Sequence, residues 1–191
     1  MTTLVVPYFG GREVELDDDG DPADPRSAAA LAVFLALTEA DRISDSAHVF
    51  AFCSDYCEEA GRPEWLDEIM EVPENPTNIW DHVMSGPVMV RKGRGDDNNW
   101  YVVMEAECAW DTEHGLMLVW HQGKTLTKVG GYNGHLTDAG AYRDADLRNV
   151  VYKARNPQFT TRLATEAMQE STGHAPSLEP KAFPGGLREL L

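Results

Sequence analysis

The chain has 191 residues, 42% of them apolar and 25% charged, and 32 acidic residues against 16 Lys and Arg give a formal net charge of -16. A domain of this size buries roughly 70% of the surface its unfolded chain exposes, so it folds without disulfides or a structural metal, and Cys53, Cys57 and Cys108 form an odd set unlike a disulfide framework. Residues 1–75 hold 18 acidic and 4 basic side chains, a field that repels phosphate backbones and excludes direct nucleic-acid binding.

The N-terminus, Met1-Thr-Thr-Leu-Val-Val-Pro7, lacks a positive region and a long apolar run. No signal peptide is expected, and the location implied is the cytoplasm. Two short β-branched segments, residues 4–8 and 12–16, meet at Gly10-Gly11 and predict an opening hairpin. The aspartates from Asp17 to Asp24 suggest a calcium loop. Pro22 takes the glycine position of that pattern, however, and Ala28 takes that of the bidentate glutamate, so the motif fails. An acidic turn feeding a helix is expected instead, with Asp24 as N-cap and Pro25 at the first helical position. That helix, running to about Glu39, contains the apolar stretch of residues 28–37 and is expected to be largely buried; the stretch is about half the roughly 20 residues that cross a membrane.

A second helix is expected from Ser44 or Ser46 to Gly61, with Ala47, Phe50, Cys53, Cys57 and Ala60 on one face and Glu58 and Glu59 outside it. The i, i+4 spacing of Cys53 and Cys57 suits core packing or two thiolates for zinc. No second Cys/His pair with ligand spacing follows, and the reading is core. A short amphipathic helix from Pro63 through Trp65, Leu66, Ile69 and Met70 closes the acidic half.

Beyond Pro73 and Pro76 the period changes to two. Strands are expected over residues 87–91, 100–110, 116–120 and 125–129, forming an antiparallel meander. Along the long strand, Val102, Met104, Ala106, Cys108 and Trp110 form a core face, and Tyr101, Val103, Glu105 and Glu107 form a partly wet one. A glycine-rich loop covers residues 130–142, a short helix or strand residues 144–152, a terminal helix residues 157–170, and a loose or docked tail residues 171–191.

The densest group of reactive side chains is Trp110-Asp-Thr-Glu-His-Gly115, followed by His121 and His135. Glu113 with His114 and His135 forms a candidate catalytic or metal-binding set, supported by Asp111 or Tyr132. The structural alternative has Asp111 or Thr112 bonding turn amides, Glu113 capping backbone N–H groups, His114 donating to a carbonyl and Gly115 supplying positive φ. Neither a zincin, a nucleophile-elbow nor a phosphate-loop motif is present. Lys124, Lys128 and Arg143 could bind an anion, and more simply solubilise strand edges.

The segment Cys108-Ala-Trp-Asp-Thr-Glu-His-Gly-Leu116, with Tyr8-Phe9-Gly10 before it and Gly134-His135 after it, resembles a family of uncharacterised bacterial domains carrying a C-x-W-x-x-E-H-G block. The resemblance spans roughly residues 4–150. It implies a small α+β cytoplasmic domain, similar in size and acidity to immunity proteins of polymorphic toxin systems, and supplies no catalytic residues.

The expected fold is therefore one α+β domain: an antiparallel β-meander sheet with an N-terminal hairpin and helices packed on one face. The leading function is binding of a basic partner protein, immunity-like in character, through Glu58, Glu59, Asp67 and Glu68, with no cofactor. The competing reading is a metal-assisted hydrolase or small-ligand-binding protein centred on Glu113, His114 and His135. A third is an adaptor whose tail from Ser171 to Leu191 makes the contact.

Overall fold

The computed structural model describes residues 2–61 and 70–164. The expected hairpin is β1 (Thr2–Val6) and β2 (Arg12–Asp18), joined by a 3-10 turn over Pro7–Phe9. Next come α1 (Pro25–Leu35), α2 (Glu39–Glu59), β3 (Val83–Met84), β4 (Val88–Lys92), β5 (Trp100–Cys108), β6 (Leu116–His121) and β7 (Thr125–Gly130). The strands form one seven-stranded sheet of order β1-β2-β4-β5-β6-β7, with β3 added beside β5. The meander from β4 to β7 is antiparallel. The hairpin joins it through a parallel pair in which Leu16 lies opposite Val88.

Asp24 caps α1 by accepting the Arg26 N–H, with Pro25 in the first turn, as the sequence predicts. Burial of α1 differs from expectation: Ser27, Ala30 and Phe34 face the sheet, while Ala28, Ala29, Ala32 and Val33 are exposed. One face suffices for packing because alanine costs little on the solvent side and carries high helix propensity. The chain then breaks at Thr38. Asp41 accepts both the Thr38 N–H and the Thr38 hydroxyl at 2.7 Å, so α2 starts earlier than the sequence reading placed it. Its buried stripe is also rotated. Val49, Phe52, Cys53 and Cys57 enter the core, whereas Ala47 and Ala60 are exposed.

The main core lies between the sheet and these two helices and holds Val102, Met104, Ala106, Cys108 and Trp110, as the alternation predicts. Its centre is aromatic. Tyr8 makes edge contacts with Phe9, Trp80 and Trp120, at 5.0, 5.8 and 5.2 Å between ring centres. Gly123, in the β6–β7 turn, has φ 70° and lies so close to α1 that a Cβ would overlap the Ala30 carbonyl oxygen. The second sheet face is less wet than predicted: Met89, Tyr101, Val103, Met117 and Val119 are buried with Leu136 packed against them. The glycine-rich loop folds back over that face.

After β7 the chain forms α3 (Asp138–Tyr142), β8 (Val150–Tyr152) and β9 (Thr161–Arg162), with β8 and β9 paired as a separate ribbon. The expected terminal helix therefore does not begin at Pro157, where a 3-10 turn over Pro157–Phe159 leads into β9. Asn156 accepts the Gln158 N–H and turns the chain. The short helix predicted around Trp65, residues 165–170 of the terminal helix and the tail from Ser171 lie outside the described residues.

Tyr8 donates to Asp45 Oδ2 at 2.9 Å, linking the hairpin turn to α2. Burial raises the Asp45 pKa to about 6, partly offset by the Tyr8 bond. A carboxyl whose folded pKa exceeds its unfolded one holds its proton more tightly when folded, so its contribution to stability is present at acid pH and is lost as pH rises from about 4 to about 6. Asp45→Asn, a neutral isostere that still accepts from Tyr8, is expected to raise stability at pH 7 by about 1–3 kcal/mol and to flatten this pH dependence. Urea unfolding of both proteins at pH 4, 5.5 and 7 checks it; a variant less stable at pH 7 would refute it.

Candidate functional site

The principal cleft has a volume of about 600 Å³ and opens beside β7, between the C-terminal end of α2, the loop after β7, α3 and the segment following β8. Its shape depends on Asp55, a carboxylate 3% exposed on the stripe of α2. Asp55 Oδ2 accepts the Tyr152 hydroxyl at 2.6 Å and the Arg155 N–H at 2.8 Å, and Oδ1 accepts the Asn156 N–H at 3.0 Å. These bonds fasten the chain after β8 to the helix. Burial, with the bond to Asp55, holds the Tyr152 pKa far above the ordinary phenol range. Further along, Glu58 accepts from the side-chain amides of Asn156 and Gln158, Glu59 pairs with Arg155, and the His48 ring bonds Thr161 at 2.8 Å.

The β5–β6 turn supplies the next wall. Asp111, 4% exposed, accepts the His114 N–H on Oδ1 at 3.1 Å, and the same oxygen faces His114 Nδ1 at 3.1 Å. The predicted turn chemistry is thus present for Asp111, while His114 pairs with a carboxylate instead of a carbonyl. Gly115 has φ 64°, and its N–H donates to the Asp111 carbonyl at 2.9 Å. Behind the turn, Trp110 is fully buried at 5.8 Å from the Phe52 ring. Burial pushes the Cys108 thiol up to about 12, keeping it protonated and unreactive at neutral pH.

The remaining wall holds a buried ion pair. Lys128 is 1% exposed, and its ammonium donates to Asp138 Oδ1 at 3.0 Å. The expectation that Lys128 solubilises a strand edge or binds an anion is corrected here. A bulge places Lys128 opposite Val119, facing away from the main core, and the first residue of α3 neutralises it there.

The residues proposed from sequence are only partly brought together. Asp111, His114 and Tyr132 line the cleft, and Glu113, though exposed, does not. His135 lies in a separate hollow of about 170 Å³ with Arg94 and Asp97. Glu113, His114 and His135 therefore do not form one constellation, and among the described residues no group of three His, Cys, Asp or Glu side chains is placed to hold a metal ion. Cys53 and Cys57 are buried in the core with their sulfurs 3.9 Å apart. No described helix is long and apolar enough to cross a membrane. Glu58 and Glu59 are exposed but already engaged by the segment after β8, and Asp67 and Glu68 lie outside the described residues. Sequence reasoning missed Asp55, Asp138 and Tyr152. The available signal for Asp55 was its position between Phe52 and Tyr56, on the helix face that carries aromatics.

The family model described as Domain of unknown function (DUF6985) matches residues 1–136, and the chain belongs to that family. The comparisons with curated proteins and with solved structures give no match. The matched region contributes Phe52, Asp55, Asp111, His114 and Lys128 to the cleft, while Asp138, Tyr142, Tyr152 and Lys153 follow it in the chain.

Removing the Asp55 carboxylate leaves a buried tyrosine hydroxyl and two backbone N–H groups without their acceptor. Asp55→Ala is expected to destabilise the fold by about 3 kcal/mol. Urea unfolding measures this, and a loss below about 1 kcal/mol would show that the segment after β8 is held by other contacts.

Proposed function

We propose that this member of the family is a cytoplasmic protein-binding domain whose partner is a basic protein, and that contact is made through the sheet face opposite the helices. The observation that carries this reading is the pairing pattern on that face. Along β2, Glu13, Glu15 and Asp17 project together, because Val14 and Leu16 point into the core. On β5, Glu105 and Glu107 lie on the same side as the buried Tyr101 and Val103. Exposed apolar side chains sit directly beside these acids: Val5, 57% exposed, is opposite Glu13, and Met84, 59% exposed, is opposite Glu107. Between the two acidic strands Arg91 is already paired with Asp18.

Acids that have no ion-pair partner among the described residues, mixed with exposed apolar groups, favour a partner that supplies positive charge around an apolar centre. Glu58 and Glu59, proposed from sequence, are tied down by Asn156, Gln158 and Arg155, so they offer less unspent charge than β2. The charge of -16, the three buried cysteines and the resemblance to uncharacterised bacterial domains support an immunity-like role in which this domain covers and inhibits a basic protein.

The experiment is capture by the tagged chain from its native lysate at low salt, with salt elution and mass spectrometry, followed by association kinetics with the eluted protein. Glu13→Lys, Glu15→Lys and Glu107→Lys together are expected to slow association by about tenfold or more, and added salt is expected to do the same to the unaltered chain. A second variant reversing Glu58, Glu59, Asp67 and Glu68 is expected to have the smaller effect. Association indifferent to salt and to both variants would overturn the proposal.

A further inference from the structure

Tyr132, 46% exposed, stands between the acidic face and the cleft: its hydroxyl lies against Glu105 on one side, and it lines the cleft on the other. Within the cleft most charges are already spent. Asp55 has both oxygens engaged, Arg155 pairs with Glu59, and the Lys153 ammonium lies 4.4 Å from the centre of the Tyr142 ring. The strongest capacity left over is acceptor capacity. Asp138 is 5% exposed and lines the cleft, yet its Oδ2 has no hydrogen-bond partner among the described residues. A buried carboxylate oxygen without a donor is costly, and such atoms are few in folded proteins.

A second acceptor comes from His114. With Nδ1 held against Asp111 Oδ1, neutral imidazole donates from Nδ1 and presents a lone pair on Nε2, which has no bond among the described residues. Around the cleft four carboxylates, from Asp55, Glu59, Asp111 and Asp138, exceed three cations, from Lys128, Lys153 and Arg155. Tyr56 and Tyr132 add aromatic faces, whereas that of Tyr142 is already met by Lys153. Tyrosine faces with unspent acceptors and a net negative charge select a planar cation with several N–H donors.

We infer that the cleft receives an arginine side chain of the basic partner, its guanidinium set against the tyrosines and donating to Asp138 Oδ2 and His114 Nε2. This rests on the protein-binding reading above and names the partner's anchoring group. Guanidinium suits the site better than ammonium because it is planar, carries five donors and is less strongly hydrated. Arginine is also, with tryptophan and tyrosine, enriched among the pocket-filling anchors of protein interfaces.

The test is titration of the full chain with N-acetyl-L-arginine amide, followed by backbone amide NMR shifts, with the corresponding lysine and glutamate amides as comparisons. Saturable shifts at residues lining the cleft are expected, with a dissociation constant of about 1 mM or tighter for the arginine probe. Asp138→Asn strips the buried Lys128 of its counter-ion and endangers the fold, so the exposed side chains carry the test. His114→Asn, whose amide nitrogen can replace Nδ1 beside the buried Asp111 while removing Nε2, and Tyr132→Ala are each expected to weaken binding about tenfold while leaving the thermal midpoint nearly unchanged. No saturation by about 10 mM, equal binding of the lysine or glutamate amide, or shifts located away from the cleft would each overturn the inference. Failure here with partner association still sensitive to the β2 reversal would remove the arginine site alone. Saturation here with association insensitive to that reversal would remove the acidic face and leave the guanidinium site standing.

Discussion

The geometry of the cleft depends on one buried carboxylate. Asp55 sits on a helix face otherwise filled by Val49, Phe52 and Cys53, and it is tolerated there because every acceptor direction it needs is met by a hydroxyl and two backbone N–H groups. Those donors belong to residues about a hundred positions later. The bonds fix the stretch around Tyr152 to Asn156 as a wall of the cleft, and burial of Val151, Tyr152 and Ala154 in the core, with Phe52 5.3 Å from the Tyr152 ring, adds the packing that holds it. Without that wall, Asp111, His114 and Lys128 would border an open edge of the sheet.

A second constraint acts on the opposite face. The β-meander has apolar side chains on both sides, and α1 and α2 cover only one of them. The loop after β7 covers part of the other, with Leu136 packed against Met89, Tyr101, Val103, Met117 and Val119. The loop reaches back because the Tyr132 N–H donates to the His114 carbonyl at 3.2 Å, and Gly131 passes close to the His114 Cβ and the Asp111 carboxylate. The Glu-His-Gly turn therefore has a structural task in any functional reading: it anchors the loop that closes the outer face and borders the cleft. Covering stops short of β2, where the acids project.

Local signals in the sequence located the hairpin, the Asp24 cap and the strands of the meander, because turn glycines, a cap followed by proline, and alternation act over a few residues. The same locality explains the misses. Apolar content alone made α1 look buried, although a helix packed on one sheet needs only Ala30 and Phe34 turned inward. Thr38 and Asp41 form a capping box that is readable in sequence but was hidden inside an apparently continuous helical stretch. For the site, the importance of Asp111 and His114 was legible from their density in one turn, and their separation from His135 was not, because the path of a glycine-rich loop is set by tertiary contacts. Asp55 and the Lys128–Asp138 pair were illegible for a stronger reason: a buried charge is recognised by its partner, and these partners lie in other elements.

The family match ends at residue 136, just before the partner of Lys128. A lysine that is 1% exposed in a strand requires a carboxylate nearby, since an uncompensated buried ammonium costs several kcal/mol. Here Asp138 supplies it, one residue after the Thr137 cap that starts α3. The matched region is therefore electrostatically incomplete without the segment that follows, and the Asp55 bonds give the same result at the other end of the cleft. Two charged residues inside the match, Lys128 and Asp55, make their main contacts beyond it. The chain through β9 thus forms one physical unit with the family region, and the cleft is made where the two meet.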